Sequence, residues 1–310
     1  MTQLGESRIE ISPLCLGGNT FGWTTDQPAS FRVLDEYVNR GGNFIDTADS
    51  YSVWIPGNKG GESESVIGSW VAERNNRDQV VIATKVAQLP TRPGLSAANI
   101  AAAAEDSLNR LQTDYIDLYY AHQEDTSVPV EESVGAFAEL QAAGKIREVG
   151  LSNHSPERVR EWIAAADSMG VRRPVALQPH YNLVKREDFE SNLAPIAEQS
   201  ALAVVPYYSL ASGLLTGRYR PGEPLTGSRA PVVQTYINDN TENVLSALFD
   251  VAQAHSAEPA SVAIAWLLAQ PTVVAPIASA SKPEQLEALF QGVSLELSAE
   301  ELGLLDRVSR

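Results

Sequence analysis

Val80-Val81-Ile82-Ala83-Thr84-Lys85, a helical stretch over 97–111, and Tyr115-Ile116-Asp117-Leu118-Tyr119-Tyr120-Ala121-His122 form one complete strand–helix–strand unit. The two flanking runs are short, β-branched or aromatic, and nearly continuous in apolar character, which is how strands covered on both faces read. A helix between two such strands implies a crossover connection and parallel pairing.

The same rhythm extends in both directions. Strands are expected at 14–17, 43–46, 80–85, 116–122, 148–152, 175–178, 203–207 and 273–277. Helices are expected over 29–39, 62–74, 97–111, 130–143, 156–167, 186–199, 243–255 with 259–269, and 283–290, and a terminal helix over 299–308. Eight strands alternating with helices predict an α/β fold, a (β/α)8 TIM barrel with extra C-terminal helices. Ser155-Pro156 reads as an N-cap before a first-turn proline, and Gly41, Gly144 and Gly170 stand where helices should stop. Two loops break the rhythm, at 54–61 and 217–240. In a barrel both follow strand carboxyl ends, where active sites are built, and both read as lids. With no boundary linker, residues 1–310 are expected to form one domain.

Composition excludes several classes of function. A formal net charge of −16, from 39 acidic and 23 basic residues, is unsuited to binding nucleic acid, which needs a basic face. The 44% hydrophobic and 20% charged fractions suit a globular core. Cys15 is the only cysteine, so no intrachain disulfide and no thiolate metal cluster can form. No apolar run reaches the length of a membrane span, and the first residues do not resemble a signal peptide, so a cytoplasmic protein is expected. His154, His180 and His255 show no metal-ligand spacing, and no metal is expected.

Polar residues fall at the ends of the strands. Asp46 closes the second, Lys85 the third, His122 the fourth, Ser152-Asn153 the fifth and Gln178 the sixth, and Tyr208-Ser209 follow the seventh. Any one of these alone is more often a helix cap, a surface or a core side chain. Together they populate one rim.

These residues carry a resemblance. Asn43-Phe44-Ile45-Asp46-Thr47-Ala48-Asp49-Ser50-Tyr51 resembles the aldo-keto reductase segment in which an aspartate precedes the catalytic tyrosine. Ile82 to Lys85 and Tyr115 to His122 are similar to that superfamily's lysine and histidine strands. The likeness continues through Val149 to Asn153, Leu177-Gln178, the run from Tyr208 to Arg218 and that from Pro276 to Leu286, and Ile11 to Gly18 is similar to the family's opening, which implies an N-terminal β-hairpin. The resemblance covers essentially the whole chain. It implies an NADP-dependent oxidoreductase that reduces an aldehyde or ketone, with Asp46, Tyr51, Lys85 and His122 as the catalytic tetrad.

The chemistry agrees with those residue types. Hydride addition to a carbonyl puts negative charge on oxygen, so an acid must deliver a proton there. A phenol has a reference pKa of about 10. Lys85 is expected to lower that of Tyr51, Asp46 to pair with the buried ammonium, and His122 to polarise the carbonyl.

The resemblance also implies where a dinucleotide lies. Ser152, Asn153 and Gln178 would hold the nicotinamide carboxamide, near Asp46, with Tyr208 stacked on the ring. Ser209, Leu210, Gly213, Leu215 and Arg218 would form the pyrophosphate clamp, and Gly18, Asn19, Ser279, Ser281, Lys282 and Gln285 would complete the site. The chain departs from the family at Ser281, where an arginine is common, and at Ala288, where an asparagine is common. Lys282 and the Ser281 and Lys282 amides would then take a 2′-phosphate, so NADP(H) is preferred and NAD(H) possible. No Rossmann glycine fingerprint is present. Trp23, Trp54 and Tyr181 fall on expected rim loops, where they could line an apolar substrate pocket or simply pack.

Two other functions fit parts of the same pattern: an NADPH-binding regulatory or redox-sensing protein with little turnover, and an aldolase using Lys85 as a Schiff base. The expected partner is a small carbonyl substrate, and either a monomer or a homo-oligomer fits the sequence.

Overall fold

A computed structural model describes residues 1–222, 224–225 and 230–310, so Glu223 and residues 226–229 of the expected 217–240 lid lie outside the described residues. β1 (Thr2–Gln3) and β2 (Glu10–Ile11) form the antiparallel N-terminal hairpin. Eight parallel strands follow: β3 (Cys15–Gly17), β4 (Phe44–Asp46), β5 (Val81–Val86), β6 (Ile116–Ala121), β7 (Ile146–Ser152), β8 (Ala176–Gln178), β9 (Ala203–Val204) and β10 (Ile277–Ala278). Strands β3 to β9 pair in chain order, and β10 pairs with β3. The two ends of the sheet meet: the Val204 amide donates to Thr272 O at 2.8 Å, Val274 to Val204 O at 2.9 Å, and Ile277 to Pro206 O at 2.9 Å. The sheet is thus curled on itself, consistent with a (β/α)8 barrel.

The expected eighth strand, 273–277, is displaced and split. Val273 bridges Val204 on one side, whereas only Ile277–Ala278 pairs with β3 on the other. Pro276, which has no amide hydrogen, separates the two halves.

Strand periodicity creates two cores. Phe44, Val81, Ala83, Leu118, Tyr120, Ala176 and Ala203 belong to an inner cluster with Leu4, Ile9 and Ile11 of the hairpin. Their neighbours Ile45, Ile82, Tyr119 and Leu177 join the outer cluster beneath the helices. The hairpin closes the amino end of the sheet, since a Cβ on Gly5 would lie 2.4 Å from Val175 O. Continuing the inner alternation by two residues reaches Asp46 from Phe44, Lys85 from Ala83, His122 from Tyr120 and Gln178 from Ala176. The period-2 rule therefore delivers these polar side chains to the inner face at the carboxyl rim.

The helices α1 (Gln27–Asn39), α2 (Glu62–Arg74), α3 (Ala97–Leu111), α4 (Val130–Ala142), α5 (Pro156–Met169), α6 (Ala194–Gln199), α7 (Ala230–Val233), α8 (Thr241–Ala254), α9 (Pro259–Leu268), α10 (Leu286–Ser294) and α11 (Ala299–Val308) connect and cover the strands. Ser155 Oγ caps α5 by accepting from the Arg158 amide, and Gly41, Gly144 and Gly170 all adopt positive φ just past helix ends. The helix expected over 186–199 begins instead as a π-helical turn, Phe189–Leu193, ahead of α6, where Pro195 lacks the donor an α-turn requires. The helix expected at 283 opens with a 3-10 turn, Pro283–Gln285, before α10. Among the described residues no helix is long and apolar enough to cross a membrane.

Candidate active site

Asp46, Lys85, Tyr51 and His122 converge at the carboxyl rim. Lys85 is fully buried, and its Nζ donates to Asp46 Oδ2 at 2.6 Å, Thr47 O at 2.8 Å and Tyr51 Oη at 3.0 Å. Tyr51 Oη in turn donates to Asp46 Oδ2 at 3.2 Å. The other Asp46 oxygen, Oδ1, accepts from Gln178 Nε2 at 2.9 Å, so the carboxylate is held from two sides. The turn bearing Tyr51 follows β4 directly and contains Ser52 at φ +70°. The His122 ring meets the Tyr51 ring edge-on, with centroids 6.2 Å apart.

Electrostatics fix the protonation of two members. Burial, reinforced by the Asp46 charge and its hydrogen bond to the phenol, pushes Tyr51 well above the ordinary tyrosine value. The expectation that Lys85 lowers it is therefore corrected: the ammonium is shared with Asp46, whose negative charge lies equally close to the phenol. The neutral phenol is the resting form, and it can donate a proton. Burial, and secondarily the Lys85 charge, holds His122 well below the ordinary histidine range. Its imidazole is neutral near pH 7, with Nδ1 buried and without a hydrogen-bond partner among the described residues. A protonated phenol beside a buried ammonium and a neutral imidazole can receive a carbonyl oxygen that gains negative charge.

Residues 13–310 match the Aldo/keto reductase family. The chain belongs to the aldo/keto reductase family. It is 32% identical over 335 residues to Protein tas of Escherichia coli (strain K12), covering 99% of this chain and 96% of that protein. It is 34% identical over 318 residues to the "Uncharacterized oxidoreductase YrpG" of Bacillus subtilis (strain 168), covering 99% and 95% of the two chains. The aryl-alcohol dehydrogenase GME11368 of Pestalotiopsis microspora is 32% identical over 320 residues, covering 96% of this chain and 79% of that one.

Aldo/keto reductases generally bind NAD(P)H, and the rim of this one offers a matching donor set. Asn153 is exposed, its Nδ2 donating to His122 O at 2.9 Å and its Oδ1 accepting from Tyr207 Oη at 2.8 Å. Ser152 and Gln178 lie beneath it, joined by Ser152 Oγ donating to Gln178 O at 3.0 Å. Tyr208, 47% exposed and at φ +52°, packs its ring edge-on against Tyr207 and His180, with centroids 5.2 Å from each. Beyond it, Gly213 at φ +103° has no atom within 4 Å of a hypothetical Cβ, which leaves its backbone approachable. Arg218 and Lys282 are exposed cations on a strongly acidic protein. A polyanionic dinucleotide fits these residues.

Other expected contacts look different in place. Leu215 is fully buried and presents no surface to a ligand, and Ser209 is buried, its Oγ donating to Pro206 O at 3.1 Å. Leu210 is half-buried against the core. Gly18 is buried too, its amide donating to Asp46 O at 2.8 Å, and a Cβ there would lie 2.8 Å from Ser63 Oγ. Asn19 Oδ1 accepts from Ser279 Oγ at 2.6 Å. The amides of Ser281 and Lys282, expected to meet a 2′-phosphate, donate instead to Gln285 Oε1 at 2.8 and 3.2 Å. An incoming phosphate must displace that side chain.

Trp23 and Trp54 are both exposed and meet edge-to-face at 5.6 Å, with Trp54 6.3 Å from the Tyr51 ring. Tyr181 is a correction. It is buried outside the rim against Phe189 and Trp266, its hydroxyl donating to Glu190 at 2.7 Å. Its neighbour His180, to which sequence reasoning assigns no site role, stacks on Tyr207 at 5.1 Å and hydrogen-bonds Tyr236 at 3.0 Å. Asp49 carries no separate role in the sequence reading either, although it is buried within two positions of Tyr51. The only sequence signal for Asp49 was its place inside the aspartate–tyrosine segment.

Proposed function

We propose that this protein is an NAD(P)H-dependent carbonyl reductase, formed as a (β/α)8 barrel from residues 1–310, in which Tyr51 is the proton donor. The observation that carries the reading is the placement of Tyr51 Oη between Lys85 Nζ at 3.0 Å and Asp46 Oδ2 at 3.2 Å. A reduced nicotinamide supplies the hydride when bound. Asn153, Ser152 and Gln178 would hold its carboxamide, Tyr208 would pack on its ring, and Arg218 and Lys282 would pair with its phosphates.

The substrate carbonyl carbon gains the hydride while its oxygen takes the Tyr51 proton, giving an alcohol and a tyrosinate. Lys85 stabilises that tyrosinate, and neutral His122 donates a hydrogen bond to the carbonyl oxygen as charge builds on it. Asp46 holds Lys85 in position throughout. A Schiff-base role for Lys85 would require a free amine, whereas its ammonium is engaged by three acceptors.

Trp23 and Trp54 favour an apolar, aromatic carbonyl beside Tyr51, and the name of the aryl-alcohol dehydrogenase relative points the same way. NADPH is the preferred nucleotide because Lys282 remains to pair with its 2′-phosphate. The experiment is a fluorescence titration with NADPH and NADH, followed by loss of reduced-nicotinamide absorbance with benzaldehyde and a panel of aliphatic aldehydes. Binding with turnover supports the reductase. Binding with no turnover across the panel supports the regulatory alternative, and no binding of either nucleotide overturns both.

A further inference from the structure

Asp49 is buried beside the turn that carries Tyr51, and no hydrogen-bond donor among the described residues reaches either carboxyl oxygen. Every cation facing it is committed elsewhere. Arg110 of α3 donates to Glu64 Oε2 at 2.6 Å, Arg92 after β5 pairs with Asp106 at 2.6 Å, and Lys85 of β5 is held by Asp46. Glu64 of α2, itself fully buried and bound by Thr84 Oγ1 at 2.5 Å, adds a like charge. From β6 the Tyr119 hydroxyl, also buried without a partner among the described residues, completes the surroundings. An ionised carboxylate with no donor in such a place is strongly disfavoured, and a carboxylic acid is tolerated.

The backbone of the same residue ties two catalytic elements together. The Asp49 amide donates to Lys85 O at 3.3 Å, and the Tyr51 amide donates to Ala48 O at 3.3 Å. Gly60 packs on the far side, where a Cβ would lie 2.7 Å from Asp49 O. A carboxylate driven away from Glu64 would pull on this junction and move the Tyr51 hydroxyl relative to Lys85 Nζ.

On the reading of Tyr51 as proton donor, we propose that Asp49 is a positioning residue: its protonated carboxyl seats the Tyr51 turn against β5, and ionisation unseats it. Burial first, and the Glu64 charge second, push the Asp49 carboxyl up to about 7, so the change falls within the working pH range. Neither Tyr51, pushed upward, nor His122, pushed downward, titrates in that window.

Asp49→Asn mimics the protonated acid, so it separates this effect from other causes. With saturating NADPH and aldehyde, wild-type kcat should fall about tenfold per pH unit above about pH 7, with KM little changed, whereas the Asn variant should stay nearly flat. Because the acid is raised in the folded state, the wild type loses stability relative to the variant as pH rises from about 4 to about 7. The variant should therefore melt higher, and the gap should widen between about pH 4 and about pH 7 and stay constant above that. Parallel kcat profiles, or a melting gap independent of pH, overturn the assignment. A wild type that binds NADPH yet reduces no carbonyl overturns the Tyr51 reading instead; the melting comparison needs no turnover, and there a constant gap still counts against Asp49.

Discussion

Gln178 Nε2 donates to Asp46 Oδ1 at 2.9 Å, tying the end of β8 to the end of β4 across the curled sheet. A side chain expected to hold the nicotinamide carboxamide thus also braces the carboxylate that holds Lys85. On the proposed reading, cofactor binding and proton donation share this joint. Gln178→Leu should weaken reduced-nicotinamide binding and lower kcat together, each by about tenfold, the scale of one hydrogen bond to a charged group. Titration and steady-state kinetics on one preparation check this. Loss of affinity with unchanged kcat would confine Gln178 to the cofactor.

At the adenosine end, Lys282 is exposed, and Gln285 Oε1 occupies the Ser281 and Lys282 amides. A 2′-phosphate therefore depends chiefly on the Lys282 ammonium. Lys282→Ala should raise the Kd for NADPH by about tenfold and leave that for NADH nearly unchanged, since only NADPH carries the phosphate. Equal losses for both nucleotides would give Lys282 a structural role.

His154 predicts acid lability. Its Nδ1 donates to Ser152 O at 2.8 Å in the neutral form, its Nε2 is buried without a partner among the described residues, and burial pushes its pKa down to about 4. The unfolded chain binds the proton at an ordinary histidine value of about 6.5, so stability is complete above that pH and falls as pH drops toward about 4. The loss amounts to roughly 3 kcal/mol at the acid end of that window. His154→Gln should flatten the decline in melting temperature between about pH 6 and about pH 4, with His180, also held near 4, supplying what remains. An unchanged acid profile would show that His154 takes no part in it.

Much of this was legible in the sequence because the strands are buried on both faces. The runs at 80–85 and 116–122 read as continuous apolar stretches, and period-2 alternation along them places Lys85 and His122 on the inner face at the rim. The eighth strand was misplaced because Pro276 divides an apolar run between two neighbours, a matter of pairing that composition does not express. Sequence order puts Tyr181 on a rim loop just past β8, but the side chain turns away to pack on Trp266. The direction of the Tyr51 shift was hidden for a different reason. It depends first on the burial of the phenol and then on the Asp46 charge and hydrogen bond beside it, neither of which the residue types at 46, 51 and 85 express. The setting of Asp49 was equally hidden, since Glu64 and Arg110 reach it from separate helices.

The central claim is that Tyr51 delivers the proton. Tyr51→Phe keeps the ring beside Trp54 and removes only the hydroxyl between Lys85 and Asp46. The most direct measurement is the single-turnover rate of NADPH oxidation with the best aldehyde for this variant, alongside its NADPH Kd. The account predicts an unchanged Kd and a rate lower by about a hundredfold or more, the scale of general acid catalysis. A variant that reduces the aldehyde at the wild-type rate would contradict it.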